Sequence, residues 1–315
     1  MQIFTTHDEI RIEGNVSVAL GNFDGIHVGH MKILEDALRY AKENGVSSAC
    51  YTFSNHPVNF FLEKAGRTED CVKLILTEED KLLEMERLGF DYVINVPFDE
   101  ETMSMDAEVF IHDILAERLH AVNICCGFNY TFGARAAGDT ELLRSEGRKL
   151  GMNVNVHSAV NACGDVVSST RIRKLISEGD VEQAGELLGR AYYISGTVSH
   201  GKRIGTRIGF PTMNIDAPET MALPPNGVYF TCSVIDGARH SSITNVGVRP
   251  TVDGAYKTIE TNVLDFSEDV YGKDVRIEFL KFERPEMKFE TVEDLRRMIE
   301  INVRSAIDYH KARLL

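Results

Sequence analysis

No run of about 18 apolar residues occurs in the 315-residue chain, so nothing in it is long enough to cross a bilayer as a helix. The opening Met1-Gln2-Ile3-Phe4-Thr5-Thr6-His7-Asp8-Glu9 has no basic segment followed by an apolar one, and a secretory signal is not expected. Six cysteines, at 50, 71, 125, 126, 163 and 232, show no C-x-x-C spacing, which argues against a zinc knuckle or a disulfide framework and for buried cytosolic thiols. Positive charge is short as well: 34 Lys+Arg face 48 Asp+Glu, a net charge of −14. The deficit lies wholly in residues 1–189, with 17 bases against 31 acids, whereas residues 190–315 balance at 17 each. Such a chain is a poor partner for nucleic-acid polymers or anionic membranes, and anions are expected only in local pockets. Internal repeats and low-complexity segments are also lacking.

The length implies two domains, and 43% hydrophobic with 26% charged residues is ordinary for a soluble globular enzyme. With no signal expected and thiols of cytosolic type, a cytoplasmic location is expected. Up to Gly189, strand-like and helix-like segments alternate. Val16–Leu20 reads as a buried strand, Val28–Asn44 as a helix stopped by Gly45, and Ser48–Phe53 as the next strand. A helix over Thr77–Leu88, the strand Tyr92–Val96, a helix near Ala107–Leu119, the strand Asn123–Cys126, a helix over Thr140–Leu150 and the strand Asn153–His157 follow. Repeated β-then-α units predict a Rossmann-like α/β domain with a parallel sheet and ligands at the carboxyl ends of its strands. Beyond Gly189 short strand-like runs dominate: Tyr192–Val198, Gly227–Ile235, Ser242–Val246, Lys257–Phe266 and Val275–Phe282. They predict a small antiparallel β-barrel or sandwich. A closing helix runs from Thr291 to about Ala312, with Leu295, Ile299, Val303 and Ile307 on one face. Thr170–Leu188 reads as one or two helices broken at Gly179-Asp180, and the boundary is placed near 185, giving domains 1–185 and 186–315.

Two segments carry chemistry. Gly21-Asn22-Phe23-Asp24-Gly25-Ile26-His27-Val28-Gly29-His30 lies where a strand gives way to a helix. Glycines there let backbone approach a ligand, and the helix N-terminus offers unpaired N–H groups and partial positive charge. His27 and His30, three apart, share one side of the first turn and suit a reaction that builds charge on an α-phosphate. Helix capping or a stray metal ion is the plainer alternative for an H-x-x-H pair. A second string, Val166-Val167-Ser168-Ser169-Thr170-Arg171-Ile172-Arg173, also opens a helix. Its hydroxyls and guanidinium groups can hold phosphate oxygens, or simply cap the helix and face water.

In the C-terminal half, the loop from Gly201-Lys202-Arg203 to Phe210-Pro211-Thr212-Met213-Asn214 is rich in glycine and base, and can wrap a polyphosphate. Thr212 and Asn214, two apart in an extended segment, face the same way and are hard oxygen donors suited to Mg²⁺. Glu260 lies on a strand whose alternation puts it beside Asn262 and Leu264. A partly buried carboxylate there can accept a proton from a hydroxyl nucleophile, and an exposed surface glutamate is the ordinary alternative.

Together these strings resemble the bacterial bifunctional riboflavin kinase/FMN adenylyltransferase (FAD synthetase) family. The resemblance rests on the G-x-FDG-x-H-x-GH turn, the SST-x-IR string, Asn55-His56-Pro57, and Gly127-Phe128-Asn129-Tyr130-Thr131-Phe132-Gly133. It continues through Pro211-Thr212-Met213-Asn214, Asn245-Val246-Gly247-Val248-Arg249-Pro250-Thr251 and Phe282-Glu283-Arg284-Pro285, and so covers almost the whole chain. The sequence differs from the family's usual pattern at Asn129, Thr206, Met213 and Asn302. The resemblance implies a nucleotidyltransferase domain followed by a riboflavin kinase barrel. It gives His27 and His30 to adenylyl transfer, and ATP to Gly21, Phe23, Asp24, Gly25, Ser168, Thr170 and Arg171. His56, Pro57, Asn129, Phe132 and Arg284 would lie by the flavin. Glu260 becomes the base of the kinase, with Gly201, Lys202 and Arg203 on its ATP and Thr212 and Asn214 on Mg²⁺. Expected partners are ATP, riboflavin and FMN, with FAD as product, in a monomer or weak oligomer. A chain with one surviving activity, or a flavin-binding regulator without turnover, are the alternatives; for residues 1–185 alone, so are other nucleotidyltransferases.

Overall fold

The computed structural model describes residues 1–199, 209–251 and 254–313. They form two compact units, Met1–Ser169 and Thr170 onward.

In the first unit β1 (Gln2–Phe4), β2 (Val16–Leu20), β3 (Ser47–Phe53), β4 (Tyr92–Val96), β5 (Ala121–Gly127) and β6 (Asn153–His157) make one fully parallel sheet. Its strand order is β1-β4-β3-β2-β5-β6. All five residues of β2 are buried, as a central parallel strand covered on both faces requires. From β2 the chain walks outward through β3 and β4, then crosses to the other side for β5 and β6. The reversal falls between β2 and β5, so the crevice at their carboxyl ends is where an open sheet of this kind takes ligands.

Helix limits follow local chemistry. α1 (Val28–Asn44) is capped by His27 and stopped by Gly45 at φ 65°. α2 is Pro57–Lys64, with proline in its first turn. In α3 (Glu78–Leu88) the Thr77 hydroxyl accepts the Asp80 N–H, and Gly89 ends the helix at φ 89°. α4 is Glu100–Ser104. α5 (Ala107–Val109) runs into a π-helical stretch, Phe110–Arg118, and α6 is Thr140–Lys149. The helix expected near Ala107–Leu119 therefore exists but is π-wound over most of its length, which no spacing in the sequence marks. The core gathers Val18, Leu20, Tyr51, Ile94, Phe110, Leu115 and Ile124. A two-stranded hairpin, β7 (Asn161–Ala162) and β8 (Asp165–Val166), closes the unit.

One expectation is corrected here. Cys50, Cys125, Cys126 and Cys232 are buried, but Cys71 is only half-buried and Cys163 is exposed. Cys163 and Gly164 are the two turn residues of the β7–β8 hairpin, both at positive φ, and a hairpin tip faces solvent.

α7 (Ser169–Glu178), whose first residue is the last of the first unit, and α8 (Val181–Leu188) open the second unit. α8 packs on β9 and β14 of the barrel, so the division between units falls ahead of residue 185. β9 (Tyr192–Ser199), β10 (Met213–Asp216), β11 (Gly227–Ile235), β12 (Ala238–Thr251), β13 (Gly254–Val263) and β14 (Asp274–Pro285) close in the order β10-β13-β12-β11-β14-β9, every pair antiparallel. α9 (Val292–Arg313) lies along β12. Its Val303 and Ala306 pack on Val228, Phe230 and Ile243.

The barrel core carries polar groups that alternation alone does not predict. Thr231, Ser233, Ser242, Thr244 and Thr261 are completely buried and linked by hydroxyl–hydroxyl bonds of 2.8–2.9 Å. Thr244 bonds to both Thr231 and Thr261, so Thr244→Val leaves two buried hydroxyls short of a partner. The expected cost is about 1–3 kcal/mol, read as a lower urea midpoint for the barrel. An unchanged midpoint would show that the chain does not contribute to stability.

Candidate functional site

In the first unit, the turn after β2 is shaped by residues that must sit close. A Cβ on Gly21 would meet the Phe23 ring at 2.9 Å, and one on Gly25, at φ 89°, would meet Ile75 at 3.0 Å. Phe23 and Ile26 are themselves left-handed, at φ 51° and 41°; backbone strain of that kind costs of order 1–3 kcal/mol per residue and concentrates at functional sites. Asp24 is buried and fixes the turn: its carboxylate accepts the Ile75 N–H at 3.0 Å and its carbonyl accepts the Ser169 hydroxyl at 2.8 Å. The serine string thus reaches the glycine turn through Ser169, which the sequence reading did not select. Ser168 is half-buried, and Thr170 and Arg171 lie in the first turn of α7.

The two histidines do different jobs. His27 is the N-cap of α1, its Nδ1 accepting the N–H groups of Gly29 at 3.2 Å and His30 at 3.1 Å. The capping alternative therefore holds for His27, alongside whatever else it does. The His30 ring stacks on it with centroids 3.6 Å apart and meets Phe23 edge-on at 5.4 Å. Its Nδ1 is buried with no hydrogen-bond partner among the described residues. Burial, and then the neighbouring His27, hold His30 well below the ordinary histidine range. An unfolded histidine titrates near about 6.5. Below that pH the unfolded chain binds a proton that the native His30 refuses, so stability falls as pH drops from about 6.5 toward the depressed native value. His30→Gln is expected to flatten this fall, seen by comparing unfolding temperatures at about pH 7.5 and 5.5. An unflattened profile would assign the acid sensitivity to other groups.

His30 and the turn line a cavity of about 540 Å³ at the carboxyl ends of β2 and β5. Gly21, Phe23, Pro57, Asn129 and Phe132 line it; His56 does not. His56 caps α2, its Nδ1 accepting the Val58 N–H at 3.2 Å, and faces a separate small hollow with Asp24 and Lys81. Sequence reasoning missed the aromatic wall. Tyr51, Phe53, Phe61, Phe98 and Phe110 come from β3, α2, the loop after β4 and the π-helical stretch, and Phe98 meets Phe53 and Phe61 edge-on. Arg135, at φ 56°, supplies a base on the same cavity. Lys81, four residues after the Thr77 cap, was also missed. It is buried and donates to the Phe53 carbonyl and the Thr52 hydroxyl, tying down the end of β3. Burial lowers its ammonium from the usual range.

In the second unit a cavity of about 560 Å³ lies between the barrel and α9, lined by Thr212, Glu260, Asn262 and Arg284 among others. Register explains the grouping. Glu260 on β13 stands opposite Asn214 on β10 and Asn245 on β12, so three polar side chains share a row across adjacent strands. Asn262 donates to the Pro211 carbonyl at 2.7 Å and holds the Pro211-Thr212 segment against β13. Arg284 donates through Nε to Asn302 of α9 at 3.1 Å. Asn214 is buried, and its Oδ1 has no hydrogen-bond partner among the described residues. An orphaned buried carbonyl oxygen beside a hydroxyl donor and a carboxylate fits a hard cation such as Mg²⁺. Gly201, Lys202 and Arg203 lie outside the described residues.

Comparisons with known proteins agree with the two-unit division. A family model described as FAD synthetase matches residues 9–171, and one described as riboflavin kinase matches residues 188–310. Proteins named bifunctional riboflavin kinase/FMN adenylyltransferase are 35% identical in Listeria monocytogenes, over 91% of this chain and 90% of that one, and 34% identical in Bacillus subtilis, over 96% and 95%. A crystal structure from Streptococcus pneumoniae, described as a macrolide-efflux protein, has the same fold at a TM-score of 0.85 and 27% identity, covering 96% of this chain and 97% of that one. Among the described residues no helix is long and apolar enough to cross a membrane. With a parallel-sheet unit carrying the stacked histidine pair and a closed barrel carrying the Asn214–Glu260–Asn245 row, each under its own family model, the chain belongs to the bifunctional riboflavin kinase/FMN adenylyltransferase family.

Proposed function

We propose that the chain makes FAD from riboflavin by two displacements at phosphorus, one in each unit. In the barrel, the 5′-hydroxyl of riboflavin attacks the γ-phosphorus of ATP. The bond to the β-phosphate oxygen breaks, and FMN and ADP result. Glu260 takes the hydroxyl proton. Thr212 and Asn214 would hold Mg²⁺, which when bound neutralises charge on the phosphates. Lys202 and Arg203, with the backbone at Gly201, complete the ATP site in this reading, and Arg284 orients the flavin. In the sheet unit, a phosphate oxygen of FMN attacks the α-phosphorus of a second ATP, releasing diphosphate and leaving FAD. His27, His30 and the N-terminus of α1 stabilise charge at the α-phosphate, and positioning supplies most of the remainder. Gly21, Phe23, Asp24, Gly25, Ser168, Thr170 and Arg171 hold the nucleotide; Pro57, Asn129 and Phe132 face the flavin, with His56 at the edge of its site. The protein works in the cytoplasm as a monomer or weak oligomer, without nucleic-acid or membrane partners.

The observation that carries this reading is that each unit has its own cavity, of a size that takes a cofactor-sized ligand, lined by His30 in one and by Thr212 and Glu260 in the other. The test is chromatography of products after mixing the pure protein with riboflavin, ATP and Mg²⁺, with and without a reductant. FMN followed by FAD is expected. FMN without FAD under both conditions would overturn the adenylyl assignment. Tight flavin binding with no conversion would leave a flavin-binding regulator.

A further inference from the structure

The sheet face beneath α1 is polar where a helix-covered face is ordinarily apolar. On that face β5 presents Asn123 and Cys125, β6 presents Asn153, Asn155 and His157, and β2 adds Ser17; the register sets Asn123 beside Asn153, Cys125 beside Asn155, and Gly127 beside His157. Asp36, six residues beyond His30 on α1, meets this row. Its Oδ2 lies 3.4 Å from the Cys125 sulfur and 3.1 Å from His157 Nε2, and all three donor atoms fall within 4.8 Å of one another. Asp36, Cys125 and His157 line neither cavity described above.

We propose that Asp36, Cys125 and His157 bind a borderline divalent transition-metal ion, Zn²⁺ or its like, and so pin α1 to β5 and β6. Four-coordinate zinc has bonds of about 2.3 Å to sulfur and about 2.0–2.1 Å to nitrogen or oxygen, so neighbouring donors in a tetrahedral shell stand roughly 3.3–3.6 Å apart. The two contacts at 3.1 and 3.4 Å are close to those edges, and the third pair, the Cys125 sulfur and His157 Nε2, lies within 4.8 Å. One thiolate, one imidazole and one carboxylate select zinc-like ions over Mg²⁺ or Ca²⁺, which want oxygen alone. Cys125 is fully buried, whereas the Asp36 and His157 side chains keep 12% and 24% exposure, which leaves a side open for water as fourth ligand.

The surroundings hold the donors in place. Asn123 donates to the Cys125 sulfur at 3.3 Å and to Ser17 at 2.9 Å, while its own carbonyl accepts from Asn153 at 2.8 Å and Asn155 at 3.0 Å. An amide so fixed aims an N–H at a sulfur that becomes negative when it binds metal. Arg39 pairs with the other Asp36 oxygen, Oδ1, leaving Oδ2 for the ion. Outer partners of this kind orient ligands and tune affinity. A bound cation deprotonates a coordinating thiol outright, so each ion taken up releases a proton.

Co²⁺ is the probe, added to the full chain with excess Mg²⁺, a phosphine reductant and no nucleotide. One equivalent is expected to produce a thiolate-to-cobalt charge-transfer band that Zn²⁺ abolishes. Cys125→Ser should lack the band. His157→Gln should bind at least about 10–100-fold more weakly, the loss typical of even an outer partner. His30→Gln should bind as the unaltered protein does. Absence of the band from the unaltered protein overturns the proposal whatever the variants do. So does its persistence in a Cys125→Ser protein with unchanged circular dichroism, or its loss in His30→Gln.

Discussion

Glu260→Gln is expected to slow phosphoryl transfer to riboflavin by about 10²–10⁴-fold, the usual contribution of a positioned general base. FAD formation from supplied FMN should continue. The substitution keeps the shape of the side chain and its place in the row with Asn214 and Asn245, so the barrel is not asked to repack. What it removes is the carboxylate that lines the cavity with Thr212. A drop in kcat with little change in KM for either substrate is the signature of a group used in the transition state. An unchanged kinase rate, or equal loss of both reactions, would remove Glu260 from that role.

His30→Ala should lower the rate of FAD formation from FMN by about 10²–10³-fold, the loss that follows removal of one preorganised donor at a site of developing charge. FMN formation from riboflavin should be untouched. The ring is held between His27 and Phe23 with its Nδ1 unsatisfied, so its orientation is set before substrate arrives. His27 needs a different substitution, because alanine there also deletes the cap of α1, worth about 0.5–2 kcal/mol. His27→Asn keeps a capping side chain and removes the ring. If His27→Asn is fully active while His27→Ala is only less stable, His27 is a structural cap and His30 works alone. If His30→Ala stops both reactions equally, the assignment of one reaction to each unit fails.

Much of the fold was legible because its elements are punctuated locally. The α1 helix between His27 and Gly45, the Thr77 cap and the break at Gly179-Asp180 are set by residues within a few positions of the ends they define. Alternation with a period of two likewise marked most barrel strands. Less legible were short elements with too few residues to show a period: β1, α2, α4 and the β7–β8 hairpin. The π winding of Phe110–Arg118 and the exposure of Cys163 depend on packing and on a two-residue turn that composition does not reveal.

The sequence by itself determined two domains of different architecture, the glycine turn with its histidine pair, and the extended Thr212–Asn214 segment. Each is written in neighbouring residues whose backbone preferences and side-chain chemistry act over one turn or one strand. Tertiary structure alone decided that His27 caps while His30 is left with an orphaned nitrogen, and that His56 turns away from the larger cavity. It alone built the aromatic wall from three helical or loop segments and a strand, and set Asn214 and Asn245 on either side of Glu260. It also brought Asp36, Cys125 and His157 together from one helix and two strands. These groupings depend on strand order and register. Those follow from which apolar faces can be buried together, and that is a property of the whole chain.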